Sequence, residues 1–149
     1  MGRKEVAHNK KAGFDIAVTD HFEAGLVLTG DEIKSIREGR AQITGGYIKL
    51  LRGSGSVIPV VLGIHLSKAA EPERSRTLLL HKRELRQLEE LLSVKGRTAV
   101  ALRLYLERGW AKVTIGVGTG RKQRDKREVL KQRDLDRQQH SDLKGAARR

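Results

Sequence analysis

The stretch TAVALRLYLERGWAKVTIGV, residues 98–117, decides the fold. Thr98 to Leu106 and Trp110 to Val117 each alternate between apolar and polar side chains, the period-2 signature of strands with one buried face. Glu107-Arg-Gly109 between them reads as a tight turn, so the two runs form a hairpin. A similar unit precedes it: Tyr47 to Arg52 and Val57 to Leu66 flank the turn Gly53-Ser-Gly-Ser56. Phe14 to Thr19 and Phe22 to Leu28 read as two more strands about a turn at Asp20-His21. About six strands joined mostly as hairpins predict an antiparallel sheet, and closing it into a barrel removes the edges an open sheet would expose. The expected fold is mainly β: an OB-like antiparallel six-stranded barrel with two or three short flanking helices and a disordered basic C-terminal tail.

The helices have their own signals. Thr29-Gly-Asp-Glu32 is a capping box, after which Ile33 and Ile36 face inward and Gly39 stops the helix. Leu78, Leu85, Leu88 and Leu92 fall at helical spacing and predict a helix over about 81–92, closing near Gly96. Residues 67–76, with Pro72, read as a loop. This divides the chain into a flexible N-terminus (1–8), a barrel (9–120) and a tail (121–149).

Charge sets the class of partner. The 149 residues carry 31 Lys and Arg against 18 Asp and Glu, a net of +13, and 38% are hydrophobic, enough for one small core. A balance this basic points to a polyanionic partner, nucleic acid first and an acidic membrane surface second. The tail carries 11 basic and 5 acidic side chains, and its larger apolar residues are only Val129, Leu130, Leu135 and Leu143. Such a segment is expected to be disordered when free. It is also rich in good helix formers, so it is expected to turn helical on an anionic surface. Without Cys there are no disulfides, thiol catalysis or Cys-based zinc sites. The longest apolar run, Val57 to Leu66, is interrupted by Pro59 and His65 and falls short of the roughly 20 residues of a membrane span. No signal peptide is visible, and a cytoplasmic protein is expected.

No motif assembles an active site. Gly116-Val-Gly118-Thr-Gly120-Arg-Lys lacks the frame of a phosphate loop and reads as a hinge between barrel and tail. Gly53-Ser-Gly-Ser56 is not a nucleophile elbow. His8, His21, His65, His81 and His140 show no metal-ligand spacing. Asp31/Glu32 and Glu89/Glu90 are adjacent and do not face each other on a helix. No catalytic residue, metal or cofactor is expected. His65, in an apolar strand, reads as packed or hydrogen-bonded, whereas His81 beside Lys82 and Arg83 is a candidate RNA contact. The five aromatics, Phe14, Phe22, Tyr47, Tyr105 and Trp110, fall on predicted strands and read as core. They are too scattered for a base-stacking platform. Phosphate contacts and RNA shape are then the expected mode of recognition.

Several stretches together resemble the SmpB (SsrA-binding protein) family. They are Asn9 to Ala12 (NKKA), Phe22 to Arg37 (FEAGLVLTGDEIKSIR), Leu78 to Leu85 (LLLHKREL), Trp110 to Val113 (WAKV) and Gly120 to Arg127 (GRKQRDKR). The resemblance runs from about residue 8 to 137. It implies an OB-like barrel with a basic tail, and a non-enzymatic role in trans-translation, the rescue of ribosomes stalled on messages without a stop codon. It implies that the barrel grips the tRNA-like part of transfer-messenger RNA (tmRNA) at its D-loop side and elbow. The complex would reach the ribosome with EF-Tu and GTP through alanyl-tmRNA, the chain acting as a monomer. The tail would enter the empty mRNA channel and contact small-subunit rRNA at the decoding centre.

Carried over by position, the tmRNA-binding candidates are Asn9, Lys10, Glu23, Lys34, Arg37, Leu79, His81, Lys82, Arg83 and Lys112. The decoding-centre candidates are Gly120, Arg121, Lys122, Arg124, Asp125, Lys126 and Arg127. Lys and Arg would neutralise phosphates, and Asn9 would hydrogen-bond a base edge or ribose. Glu23 reads equally as the partner of a nearby Lys, and Leu79 equally as core. Arg124 departs from the family, which usually has His or an aromatic there; a guanidinium can also stack on a base. The competing reading is a constitutive ribosomal or ribosome-assembly protein of the same charge and fold.

Overall fold

The computed structural model describes residues 3–121 and 123–147, with side chains in the final helix described for 126–138. In chain order the elements are β1 (Lys4–His8), α1 (Lys10–Asp15), β2 (Ile16–Leu26), α2 (Gly30–Arg37), β3 (Ala41–Gln42), β4 (Tyr47–Gly53), β5 (Ser56–Leu62), β6 (His65–Leu66), β7 (Arg76–Leu79), α3 (Lys82–Leu92), β8 (Arg97–Glu107), β9 (Trp110–Gly120) and α4 (Gln123–Ala147). Six strands pair antiparallel in the order β8-β4-β5-β7-β2-β9, and β9 pairs back onto β8 to close a barrel. β1 lies on the edge of β8 beyond the point where β4 leaves it, opposite residues 103–106. β3 and β6 form a separate two-residue ladder.

The hairpin that decides the fold is present, with a tighter turn than its sequence suggests. Glu107 pairs with Trp110, leaving only Arg108 (φ 52°) and Gly109 (φ 81°) in the turn. Two left-handed central residues match the right-handed twist of the flanking strands. The first expected pair of strands is instead one. Asn9 caps α1, so Phe14 and Asp15 are helical. Residues 16–26 then run as a single strand, in which Asp20 and His21, the expected turn, pair with Val117 and Gly116 just after a register shift at Thr19. Such a bulge bends a strand without ending it, as a closed barrel requires. Residues 4–8, expected to be flexible, are the paired strand β1. Leu78, expected on the helix, lies in β7.

The glycine run is also strand rather than hinge. β9 continues through Gly118 and Gly120, which pair with Val18 and Ile16. A Cβ at Gly118 would meet the Ala17 carbonyl at 2.0 Å, and one at Gly116 would meet Leu102 Cδ1 at 2.5 Å. These glycines permit close approach of neighbouring chain. Barrel and tail join after Gly120, and the tail forms α4.

Phe22, Leu26, Ile36, Leu78, Leu88, Leu104, Val113 and Ile115 fill the interior. Of the aromatics expected there, Trp110 is 70% exposed and Tyr47 is 43% exposed. Among the described residues no helix is long and apolar enough to cross a membrane.

A buried ion pair fastens α2 to the barrel. Arg76 is fully buried and uses all five guanidinium N–H groups. Nε donates to Glu32 at 2.5 Å, and the two Nη atoms donate to the carbonyls of Ile64, Arg74, Glu71 and Pro72. The other Glu32 oxygen accepts from Arg74 and from the Thr29 N–H, the latter being the carboxylate half of the capping box. Burial alone would raise the Glu32 carboxyl. The hydrogen bonds from Arg74, the Thr29 N–H and Arg76 outweigh it and bring the group from its ordinary 4.5 down to about 2. A depressed carboxyl contributes stability that is complete above the unfolded value and is lost as pH falls through the folded one. Urea denaturation midpoints should therefore decline between about pH 4.5 and pH 2, and the decline should be shallower in Glu32→Gln. That variant strands a buried cation and should lose on the order of 3–5 kcal/mol at neutral pH.

Candidate nucleic-acid interface

Directly paired residues on neighbouring strands share a face of the sheet. Leu26–Leu78, Ala24–Val113 and Val113–Leu104 are such pairs, all buried, and they mark the inner face of β7, β2, β9 and β8. The residues between them face outward in two rows. One row is Leu79, Gly25, Lys112 and Tyr105; the other is Glu23, Thr114 and Arg103. The fold thereby brings Glu23, Leu79 and Lys112 onto one outer surface.

Leu79 is 57% exposed, so its reading as core is replaced by a surface position against the bare backbone of Gly25. Glu23 is held by hydroxyls. Tyr105 Oη donates to its Oε2 at 2.5 Å, and Thr114 Oγ1 lies 3.1 Å from both carboxylate oxygens. The alternative of Glu23 pairing with a nearby Lys gives way to these partners. Tyr105 is itself buried, with the Arg3 guanidinium 4.6 Å over its ring. Burial, then the Glu23 hydrogen bond, push its phenol up to about 12, so it remains a proton donor at any physiological pH.

Two residues beyond Leu79, His81 caps α3, its N–H donating to Glu84 at 3.4 Å, and Lys82 and Arg83 occupy the exposed first turn. A helix N-terminus adds a partial positive charge to these cations and favours phosphate. α3 is fixed from below by Leu88, which is fully buried. Lys34 and Arg37, three residues apart on α2, are both exposed, as is Lys10 at the start of α1.

Asn9 sits inside. It is 1% exposed, and its Nδ2 donates to the Ile43 and Ala101 carbonyls at 3.2 and 3.0 Å while its Oδ1 accepts the Ala12 N–H. The expected base-edge or ribose contact is therefore replaced by a structural role: Asn9 caps α1 and ties it to β8.

On the tail side, Gly120 is exposed at the end of β9 and the Arg121 N–H donates to the Asp15 carbonyl at 2.8 Å. Lys126 pairs with Asp15 at 3.2 Å and lies 5.9 Å over the Phe14 ring, and Arg127 is exposed. Lys122 lies outside the described residues, as do the side chains of Arg124 and Asp125. Among the described residues, no group of His, Asp and Glu is arranged to hold a metal. Tyr105 and Thr114 were absent from the sequence-based candidates. Strand alternation alone puts Tyr105 on the face of Arg103, but relating it to Lys112 needs the register of a two-residue turn.

The family model described as SmpB protein matches residues 6–145. The chain belongs to the SmpB family. It is 44% identical over 142 residues to the SsrA-binding protein of Lactobacillus gasseri, covering 91% of each chain. It is also 44% identical over 140 residues to that of Latilactobacillus sakei, covering 89% of this chain and 87% of the other. Among solved structures it resembles a chain from "tmRNA-SmpB: a journey to the center of the bacterial ribosome", at TM-score 0.63 and 32% identity, covering 87% of this chain and 95% of that one. Its barrel candidates lie partly on the closed sheet, at Glu23, Leu79 and Lys112, and partly on α1, α2 and the start of α3, while the described tail candidates run from the end of β9 into α4 beside α1.

Replacing Asn9 by Ala removes the α1 cap and leaves the Ile43 and Ala101 carbonyls without their side-chain donor. Stability should fall by about 1–3 kcal/mol in urea titrations.

Proposed function

We propose that this chain is a tmRNA-binding factor of trans-translation and works by binding rather than catalysis. The observation that carries the reading is 44% identity to an SsrA-binding protein across 91% of both chains. The charge and the surface support it. Lys112, Lys34, Arg37 and the cationic first turn of α3 offer phosphate contacts, while Leu79 and Glu23 offer an apolar and an acceptor contact among them. The barrel grips the tRNA-like part of tmRNA, and alanyl-tmRNA arrives at the stalled ribosome with EF-Tu and GTP. The factor acts in the cytoplasm as a monomer.

The tail acts separately. With few apolar side chains, α4 has little to hold it against the barrel, and in this reading it orders fully only in the empty mRNA channel against small-subunit rRNA. Gly120, Arg121, Lys122, Arg124, Asp125, Lys126 and Arg127 are the decoding-centre contacts in this reading. Pulling the chain from a bacterial lysate and identifying the bound RNA tests the whole. An abundant hybrid tRNA/mRNA species is the expected result; bulk ribosomal RNA alone would make the chain a constitutive ribosomal component instead.

Each phosphate contact releases counterions. Lys34→Ala should therefore weaken tmRNA binding in gel shifts and lower the salt dependence by about one unit of log–log slope. A chain ending at Gly120 keeps the whole barrel. It should still shift tmRNA, with some nonspecific affinity lost along with the tail's +6 charge, but it should not support tagging of a nascent chain on a stalled ribosome. Loss of both together would place the tail in the tmRNA grip.

A further inference from the structure

A carboxylate on an RNA-binding face is an unusual choice, because phosphate repels it. Glu23 is exposed on the same outer face as Lys112, yet among the described residues its partners are two hydroxyls and no cation. A carboxylate paired with Lys would be neutralised and turned aside. One held by hydroxyls keeps its full charge and a single orientation.

We propose that Tyr105 and Thr114 are positioning residues that fix the Glu23 carboxylate as an acceptor for N–H or O–H donors on an RNA base or ribose. The inference rests on the RNA-binding reading of this face. A carboxylate has about four acceptor directions. Tyr105 and Thr114 occupy two from the barrel side and leave the others toward solvent. In RNA the groups able to fill them are base amino and imino N–H and the 2′-hydroxyl. Phosphate oxygens carry no proton to donate. Glu23 therefore selects a base or sugar edge, while Lys112 in the adjacent row takes backbone charge. The two hydroxyls are well placed to do this. Tyr105 is 3% exposed and clamped under Arg3, and Thr114 is 8% exposed on the central strand β9, so neither swings with the ligand. The raised Tyr105 phenol keeps its proton on the donor side.

Tyr105→Phe and Thr114→Val remove the hydroxyls and keep the packing volume. The experiment measures affinity of the full-length chain for a transcript of the tRNA-like part of tmRNA, as a double-mutant cycle with Glu23→Ala and with Lys112→Ala alongside. Y105F/T114V should weaken binding on the order of tenfold, since hydrogen bonds to a charged group are being lost. In the E23A background the same pair should cost nothing further, because the carboxylate they aim is gone. The salt slope should stay at the wild-type value in Y105F/T114V and fall in K112A. A merely structural role for the hydroxyls predicts an equal loss in both backgrounds, and that result overturns the inference. E23A weakened with Y105F/T114V unchanged also overturns it, while leaving the RNA-binding reading intact. Wild-type affinity in both E23A and K112A would remove this face from the interface altogether.

Discussion

The Glu32–Arg76 pair holds together parts of the chain that no hairpin connects. Arg76 opens β7 and reaches the carbonyl before β6, two carbonyls of the loop at 71–72 and the carboxylate of α2. Breaking a buried pair of this kind by removing one partner strands a charge in a low-dielectric interior. Glu32 is also the residue whose other oxygen closes the α2 capping box. One side chain thus starts the helix and fastens it, and the exposed Lys34 and Arg37 are aimed by that attachment.

The barrel's contribution is a rigid outer face. Closure leaves β2, β9 and β8 with partners on both sides, and β9 is buried from Val113 to Gly118. On such a sheet the spacing of Leu79, Lys112 and Glu23 is set by hydrogen-bonded register rather than by loops. Sites built on strands hold their geometry better than sites built on loops. The cationic groups at the rim, on α1, α2 and α3, need less precision, because point charges act on phosphate at a distance.

Much of this was legible in the sequence, and the gaps have physical causes. Alternation at 98–117 gave the central hairpin, and Thr29-x-x-Glu32 gave the start of α2, because both are local signals. The bulge at Thr19, just before Asp20-His21, reads as a turn in the sequence, since a bulge and a turn both interrupt alternation. α1 has a local cap in the Asn9 Oδ1 to Ala12 N–H bond, but its six residues carry no helical periodicity, and the Asn9 Nδ2 bonds that anchor it reach carbonyls 34 and 92 residues away. Arg76 could not be recognised as core: it lies in a polar stretch, and the carbonyls that receive it come together only in the folded chain. At the interface, charge located the cations, but the hydroxyls behind Glu23 became visible only through cross-strand register. Leu79 was ambiguous for the same reason, as either of two adjacent leucines could face inward.

The length of α4 divides the molecule electrically. At 1.5 Å per residue, its 25 residues rise about 37 Å. The Debye length at physiological ionic strength is only about 8 Å. Over its first three turns, where Lys126 sits against Asp15 and Arg133 lies 5.9 Å from the Phe14 ring, the helix is within that distance of the barrel, and its later residues add more than about two Debye lengths of rise along the axis. The chain carries two basic bodies of similar excess, +7 up to residue 120 and +6 after it. Charge at the far end of the helix is therefore screened from charge at its start by the length of the helix itself.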